Sequence, residues 1–543
     1  MEIIQKQIDI YPSWKNRVKK LVNNLFIRPT YPVLTFYLLI ITGIGCFIAT
    51  WIDTGFVVPL YGDYNLQMMT LIYDAYDDWH TFFQTGHFVQ WDRSVFIGID
   101  NVGGNSFYYL FDPFMVLMTL FPRDWLLVEQ GVSFVIKMAL GGMFFYWYLG
   151  EFKLSPRIKM IGAICFAFNG YIFQYLWFHF IEVETFFPLA LLGVEKLIRK
   201  KDPRHIMIAF LLIGLCNYFF FVVYMLGAFV YWCFRYLQDI FRRSRDDNYA
   251  ILGVSFFGFL VSVFMGCITL LPGMTLAMQM PRVNNASYLQ TILQAGTFKE
   301  KLDAFMTYPY SFNKLTPLFN LMFAPNNCYY SNILPIYWYD NLSGSMYVTT
   351  PITILFFTAF VQSIKERKVS HIIGILLNLF LLFTPFGFYF FSGFTVGYAR
   401  YFILPMSWML TYALLVLSKR REVSRSTFDL GFALAMIMMG ICLILDLYYM
   451  NNNESKGWFD ENWQYRVYEI PITIVWATVV YLILRPLFHK KKFNAVLTFL
   501  CMVDVIAFSN VVIYCQGYCD MNYYSGGKKS IQEETYIAQK LKE

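Results

Sequence analysis

The stretch VLTFYLLIITGIGCFIATWI, Val33 to Ile52, decides the fold. It carries no charge, and a helix of this length spans about 30 Å, the thickness of a bilayer's hydrocarbon core. Such a helix satisfies its own backbone groups where no water can reach them. A basic amphipathic leader precedes it, with Lys15, Arg17, Lys19, Lys20 and Arg28. The run exceeds a signal-peptide core and has no small-x-small cleavage site, so it reads as a retained anchor.

Twelve further apolar stretches follow, at 127–149, 160–174, 185–198, 206–219, 222–235, 250–271, 347–362, 372–385, 402–417, 430–449, 470–487 and 495–514. The composition agrees: 57% apolar residues, 15% charged residues and a mean hydropathy of +0.47 leave too little polar surface for a water-soluble globule. The expectation is an all-α polytopic membrane protein with about 13 transmembrane helices and lipid bilayer as its solvent. Basic loops stay cytoplasmic. With the amino terminus inside, 29 of the 43 lysines and arginines fall in short inside segments. That orientation puts the carboxyl terminus outside the plasma membrane.

The apolar stretch 107–121 tests this alternation, because a full crossing there would place every later basic loop outside. It therefore reads as an interfacial or re-entrant helix on the outer face. The chain divides into a cytoplasmic leader (1–32), a membrane module (33–272) that includes the first extracellular loop (53–125), a long extracellular loop (273–346), a second membrane module (347–514) and an extracellular tail (515–543). The net charge of +7 is distributed as topology signals and not as one patch, so no nucleic-acid partner is expected. Cys515 and Cys519 have a spacing that permits a bridge, but the ten cysteines form no disulfide framework. Walker loops, Gly-x-Ser-x-Gly elbows and histidine pairs at metal spacing are all missing from the sequence. Neither a metal nor another cofactor is expected.

Chemistry is sought in the first long loop, which holds nine aspartates and few basic residues. Asp63 stands where the first span gives way to a segment with helical apolar spacing, 65–83. There a carboxylate either caps the following helix or takes a proton from an incoming hydroxyl. Asp100 lies in a Gly-rich turn, and Tyr108 and Asp112 follow in a segment that also suits an interfacial anchor. Lys137, ten residues into a span, calls for a carboxylate partner on a neighbouring helix or meets a carrier phosphate; otherwise midspan charge is nearly absent. His179, Glu182 and Glu184 occupy a turn between two short spans. His179 reads as a headgroup-level residue and Glu182 as a candidate for sugar hydroxyls. Arg400, between Tyr398 and Tyr401, either snorkels to headgroups or binds phosphate oxygens in two parallel hydrogen bonds. The tyrosines and asparagines of 272–346 suit a sugar-covering loop or any interfacial loop.

Several of these motifs together resemble the bacterial YfhO membrane-protein family. They are Gly62-Asp63 with Gln67, the Gly103-Gly104 turn, Tyr108-Tyr109, Asp112-Pro113-Phe114 and Leu120-Phe121-Pro122, then Phe166 to Tyr171, Phe187 to Glu195 and Tyr398 to Phe402. That family is similar to the GT-C class of glycosyltransferases. The resemblance implies a GT-C-like fold and transfer of a sugar from a polyprenyl-phosphate carrier to a cell-envelope polymer such as lipoteichoic acid. It implies Asp63 as the catalytic base and favours Arg400 as the donor-phosphate ligand; Asp100, Tyr108, Asp112 and Glu182 are the sugar-binding candidates. YfhO-like chains commonly continue into a sizeable extracytoplasmic domain, whereas here a short tail remains. A flippase or exporter of a lipid-linked saccharide and a non-catalytic scaffold are the competing classes.

Overall fold

The computed structural model describes residues 24, 29–58, 67–92, 98–176, 179–279, 296–301, 322–323, 345–392, 400–451 and 463–515. Helices dominate them. The first, α1 (Tyr31–Thr54), starts on Pro32 and ends at Gly55, whose φ of 67° is the left-handed geometry that closes a helix. Thr35 and Thr42 donate their hydroxyls to the carbonyls four residues back, each at 2.7 Å, which keeps these groups satisfied in an apolar medium. Gly43 packs where any Cβ would stand 2.7 Å from Val135, and Gly45 does the same against Ile506 at 2.8 Å. Small residues thus let α1 sit tightly between two later helices.

The first loop folds onto the helices. It contains α2 (Met69–Thr85), a two-stranded ladder of β1 (Trp91–Asp92) and β2 (Ile99–Asp100), and the short helices α3 (Asn101–Asn105) and α4 (Pro113–Met118). The expected interfacial helix over 107–121 is therefore broken. Pro113 disfavours helical backbone at Asp112, and Asp112 caps a new start by accepting from Phe114 N at 3.1 Å. Carbonyls left by the break are met from α2: Trp79 donates to Leu110 O at 2.5 Å, and Tyr76 to Phe121 O at 2.6 Å.

Next come α5 (Leu126–Gly150), α6 (Pro156–Ala167), α7 (Gly170–Gln174), α8 (Ile181–Lys200), α9 (Arg204–Cys216), α10 (Tyr218–Gln238) and α11 (Arg245–Ala277). The stretch expected as one span at 160–174 is two helices. Buried Asn169 separates them, donating to Phe166 O at 2.6 Å and accepting from Ile172 N at 3.0 Å. Asn217 joins α9 to α10 in extended backbone and caps the second helix through Phe219 N and Phe220 N. Irregular backbone at such depth persists only where protein satisfies it. Further, α11 continues through Pro272 to Ala277, past the expected loop boundary.

The last group comprises α12 (Thr350–Lys365), α13 (Val369–Phe383), α14 (Pro385–Phe390), α15 (Ile403–Ser418), α16 (Arg425–Asn451), α17 (Trp463–Leu487) and α18 (Phe493–Cys515). Buried Asp504 of α18 accepts from Tyr347 Oη and Thr350 N, both at 2.7 Å, and so caps α12. Asn510 reaches the carbonyl of Gly45 at 3.0 Å and ties the last helix to the first. Each expected apolar stretch lies mostly on helix. Five helices among the described residues are long and apolar enough to cross a bilayer: Tyr31–Thr54, Arg123–Gly150, Tyr218–Gln238, Arg245–Ala277 and Phe493–Ile513. Others are shorter. Large apolar side chains such as Ile48, Phe256, Phe264 and Ile268 are exposed along these helices, a surface suited to lipid.

Candidate functional site

At the end of the bundle that carries the first loop, three elements meet around His179. Its ring is buried, with Nε2 against Phe107 O and Nδ1 3.2 Å from Met68 Sδ at the start of α2. Asn217 donates to the same Phe107 carbonyl at 2.5 Å. The rings of Phe107, Tyr108 and Phe180 surround the imidazole at 5.0–5.1 Å. Burial, with the positive charges of Arg400 and Lys137 adding to it against the bond to Phe107, pushes its basicity down to about 3. His179 is therefore a neutral strut between the loop and the helices.

Arg400 approaches this strut from the start of α15. Its guanidinium lies over the faces of Phe180 and Phe219, 4.9 and 5.1 Å from the ring centroids, and Tyr171 donates to its carbonyl. Stacking on two rings holds a planar cation in one orientation. Tyr108, a sugar-binding candidate, faces His179 and accepts from Gln67 Nε2 at 3.0 Å.

Beneath this layer Lys137 is wholly buried and paired with Glu182, with Asp112 Oδ2 at 4.0 Å. Cys216 donates to Asp112 Oδ1 at 3.7 Å. The carboxylate that Lys137 calls for is thus supplied twice, once from α8 and once from the loop. Asp112 and Glu182, expected to meet sugar hydroxyls, are about 1% exposed and turned to this lysine, which anchors the loop. Two residues further on, Glu184 is fully buried, and neither carboxyl oxygen has a hydrogen-bond partner among the described residues. Charge buried within the helices is accordingly richer than expected, since Glu195 and Asp504 are buried too.

Asp100 caps α3 by accepting from Gly103 N at 3.1 Å and stays exposed. Near it lies a carboxylate group not singled out in the sequence. Burial and the neighbouring charges of Asp92, Asp78 and Asp77 push Asp74 up to about 7, with Arg123 opposing. Burial likewise pushes Asp78 up to about 6, although Asn101 donates to it at 2.6 Å. The signal available was the spacing of Asp74, Asp77 and Asp78, which puts all three near one face of a helix. Among the described residues no cluster of histidine, cysteine and carboxylate side chains is arranged to hold a metal ion. Asp63, expected as the base, lies outside the described residues; it precedes Met68 by five positions.

A helical bundle with a lipid-suited surface and a loop folded onto its end defines the class, a polytopic membrane protein. The profile of the bacterial membrane protein YfhO family matches residues 35–325, more than half of the chain, and the chain belongs to that family. No individual curated protein matches it.

Proposed function

We propose that this protein is a membrane glycosyltransferase that moves a sugar from a polyprenyl-phosphate carrier to a cell-envelope polymer, such as lipoteichoic acid, at the outer face of the plasma membrane. In this reading the chain crosses thirteen times, with its amino terminus in the cytoplasm and its carboxyl terminus outside. Family membership supports the class of activity. The observation that carries the site is the stacked guanidinium of Arg400 beside His179, whose other face meets Met68, only five residues after Asp63.

Asp63 takes the proton from the acceptor hydroxyl, the acceptor oxygen attacks the anomeric carbon, and the bond to the carrier phosphate breaks. Arg400 receives the charge that develops on that phosphate, where a fixed, preoriented cation acts most strongly. Asp100 and Tyr108 remain the candidates for sugar hydroxyls, while Asp112 and Glu182 position the loop through Lys137. Asp63→Asn is expected to abolish sugar addition with normal protein abundance in the membrane. Undiminished incorporation by that variant removes Asp63 as the base.

The second reading is a flippase or exporter of a lipid-linked saccharide. It draws on the buried acids Glu182, Glu184 and Glu195, distributed along α8 from one end to the other. Reconstituted vesicles separate the two: a transporter moves the labelled lipid across the bilayer without any acceptor, and a transferase consumes it only when acceptor is supplied.

A further inference from the structure

At the opposite end of the bundle, among the short basic loops, lies a cavity of about 310 Å³ that the proposed transfer does not use. Its walls come from the final turns of α5, α8 and α10, the first turn of α13 and α15 from Trp408 to Leu415. The base of its wall is a closed network. Glu195 receives Arg235 at 2.6 and 3.1 Å, Arg199 at 2.7 Å and Tyr231 at 2.7 Å. Arg235 also donates to Gln238, so its guanidinium is occupied.

Two other guanidiniums lining this space are only partly used. Arg199 uses only Nε, and Arg242, which is 84% exposed at the rim, uses only Nη1, on Asp239. Their remaining N–H groups have no hydrogen-bond partner among the described residues. Trp408 lines the cavity, is buried, and its indole N–H is likewise without a partner there. Asp239 is already held by Arg242 and Arg243. Cations at the carboxyl ends of helices are ordinary. An aromatic-walled space with surplus donors and a buried unpaired indole N–H is not, because an unmade buried hydrogen bond is costly.

We propose that this cavity binds the phosphate ester of an anionic amphiphile, with Arg199, Arg242 and Trp408 donating to phosphate oxygens and the aromatic wall of Phe152, Phe234 and Tyr412 taking the adjoining apolar part. A phosphate offers the several acceptors that these donors lack, guanidinium matches it in two parallel bonds, and the volume suits a headgroup. The site is independent of the sugar-transfer reading, being built from other residues at the other end.

The full chain, purified in detergent, is offered equal amounts of phosphatidic acid and phosphatidylcholine, and retained lipid is read by native mass spectrometry. Phosphatidic acid is expected to be retained preferentially, and Arg199→Gln and Arg242→Gln each to lower that retention about tenfold. Leu415→Trp, which fills the space without changing charge, is expected to abolish it, and Lys491→Gln, an exposed cation elsewhere among these loops, to leave it intact. Inorganic phosphate is then added as competitor: displacement assigns the phosphoryl group alone as sufficient, and resistance assigns the lipid as the ligand. Equal retention of both lipids overturns the proposal. So does a loss with Lys491→Gln as large as with Arg242→Gln, since that is surface attraction only. Arg242 is exposed, so its variant stays informative even if Arg199→Gln does not fold.

Discussion

Lys137 and Asp112 stand 4.0 Å apart with both side chains buried, and Glu182 completes the group from a third direction. The first loop is thus pinned into the bundle by a charge that lipid would not tolerate alone. Lys137→Met leaves two buried carboxylates without a cation and is expected to cost about 3–5 kcal/mol, because breaking a buried pair strands its partner. Lys137→Met combined with Glu182→Gln should recover part of that loss. Thermal unfolding of the purified variants reads both, and a double variant no better than the single one would show that Lys137 and Glu182 do not act as a pair.

Arg400→Lys keeps the charge but loses the planar fork and its stacking on Phe180 and Phe219. Under the proposed reaction, kcat is expected to fall about 10–100-fold while KM for the carrier changes less. Steady-state transfer with a defined lipid-linked sugar measures the split, and an unchanged kcat removes Arg400 from the chemistry.

Asp74 is raised to about 7 by burial and its acidic neighbours, so the folded state holds its proton more tightly than the unfolded chain does. Its contribution is fully present below the ordinary aspartate range and is lost as pH rises to about 7. Asp74→Asn should therefore match the parent near pH 4 and exceed it in melting temperature by a few degrees at pH 8. A constant difference across that range would contradict the assignment.

His179 behaves with the opposite sign. Its proton affinity is lowered to about 3, so the stability it confers is complete above the ordinary histidine range and declines as pH falls toward 3. His179→Gln, which keeps one donor for Phe107 O, is expected to flatten the loss of stability between pH 6.5 and 5. Melting curves at those two pH values decide it.

The helices were legible because hydrocarbon leaves the chain little choice: a run such as 33–52 must be helical or stay out of the bilayer. Breaks at Asn169 and Asn217 were not, since one asparagine barely alters the hydropathy of a window that long. Lys137 announced its need for an acid, yet two sites 25 residues before it and 45 after it answered, and no local pattern names partners so distant. His179 looked like a headgroup-level residue because its importance comes from what converges on it, namely Met68, Phe107 and Asn217. Glu195 appeared only as the polar end of an apolar motif, and its three donors come from both its own helix and α10.

The bond from Asn510 to the carbonyl of Gly45 spans nearly the whole polypeptide. One flank of α1 stays uncovered until α18 has been synthesised and inserted. The stretch recognised by the family profile stops at 325, so a fragment cut there would lack a wall of its own bundle, and deletion mapping from the carboxyl end would misread lost assembly as lost chemistry.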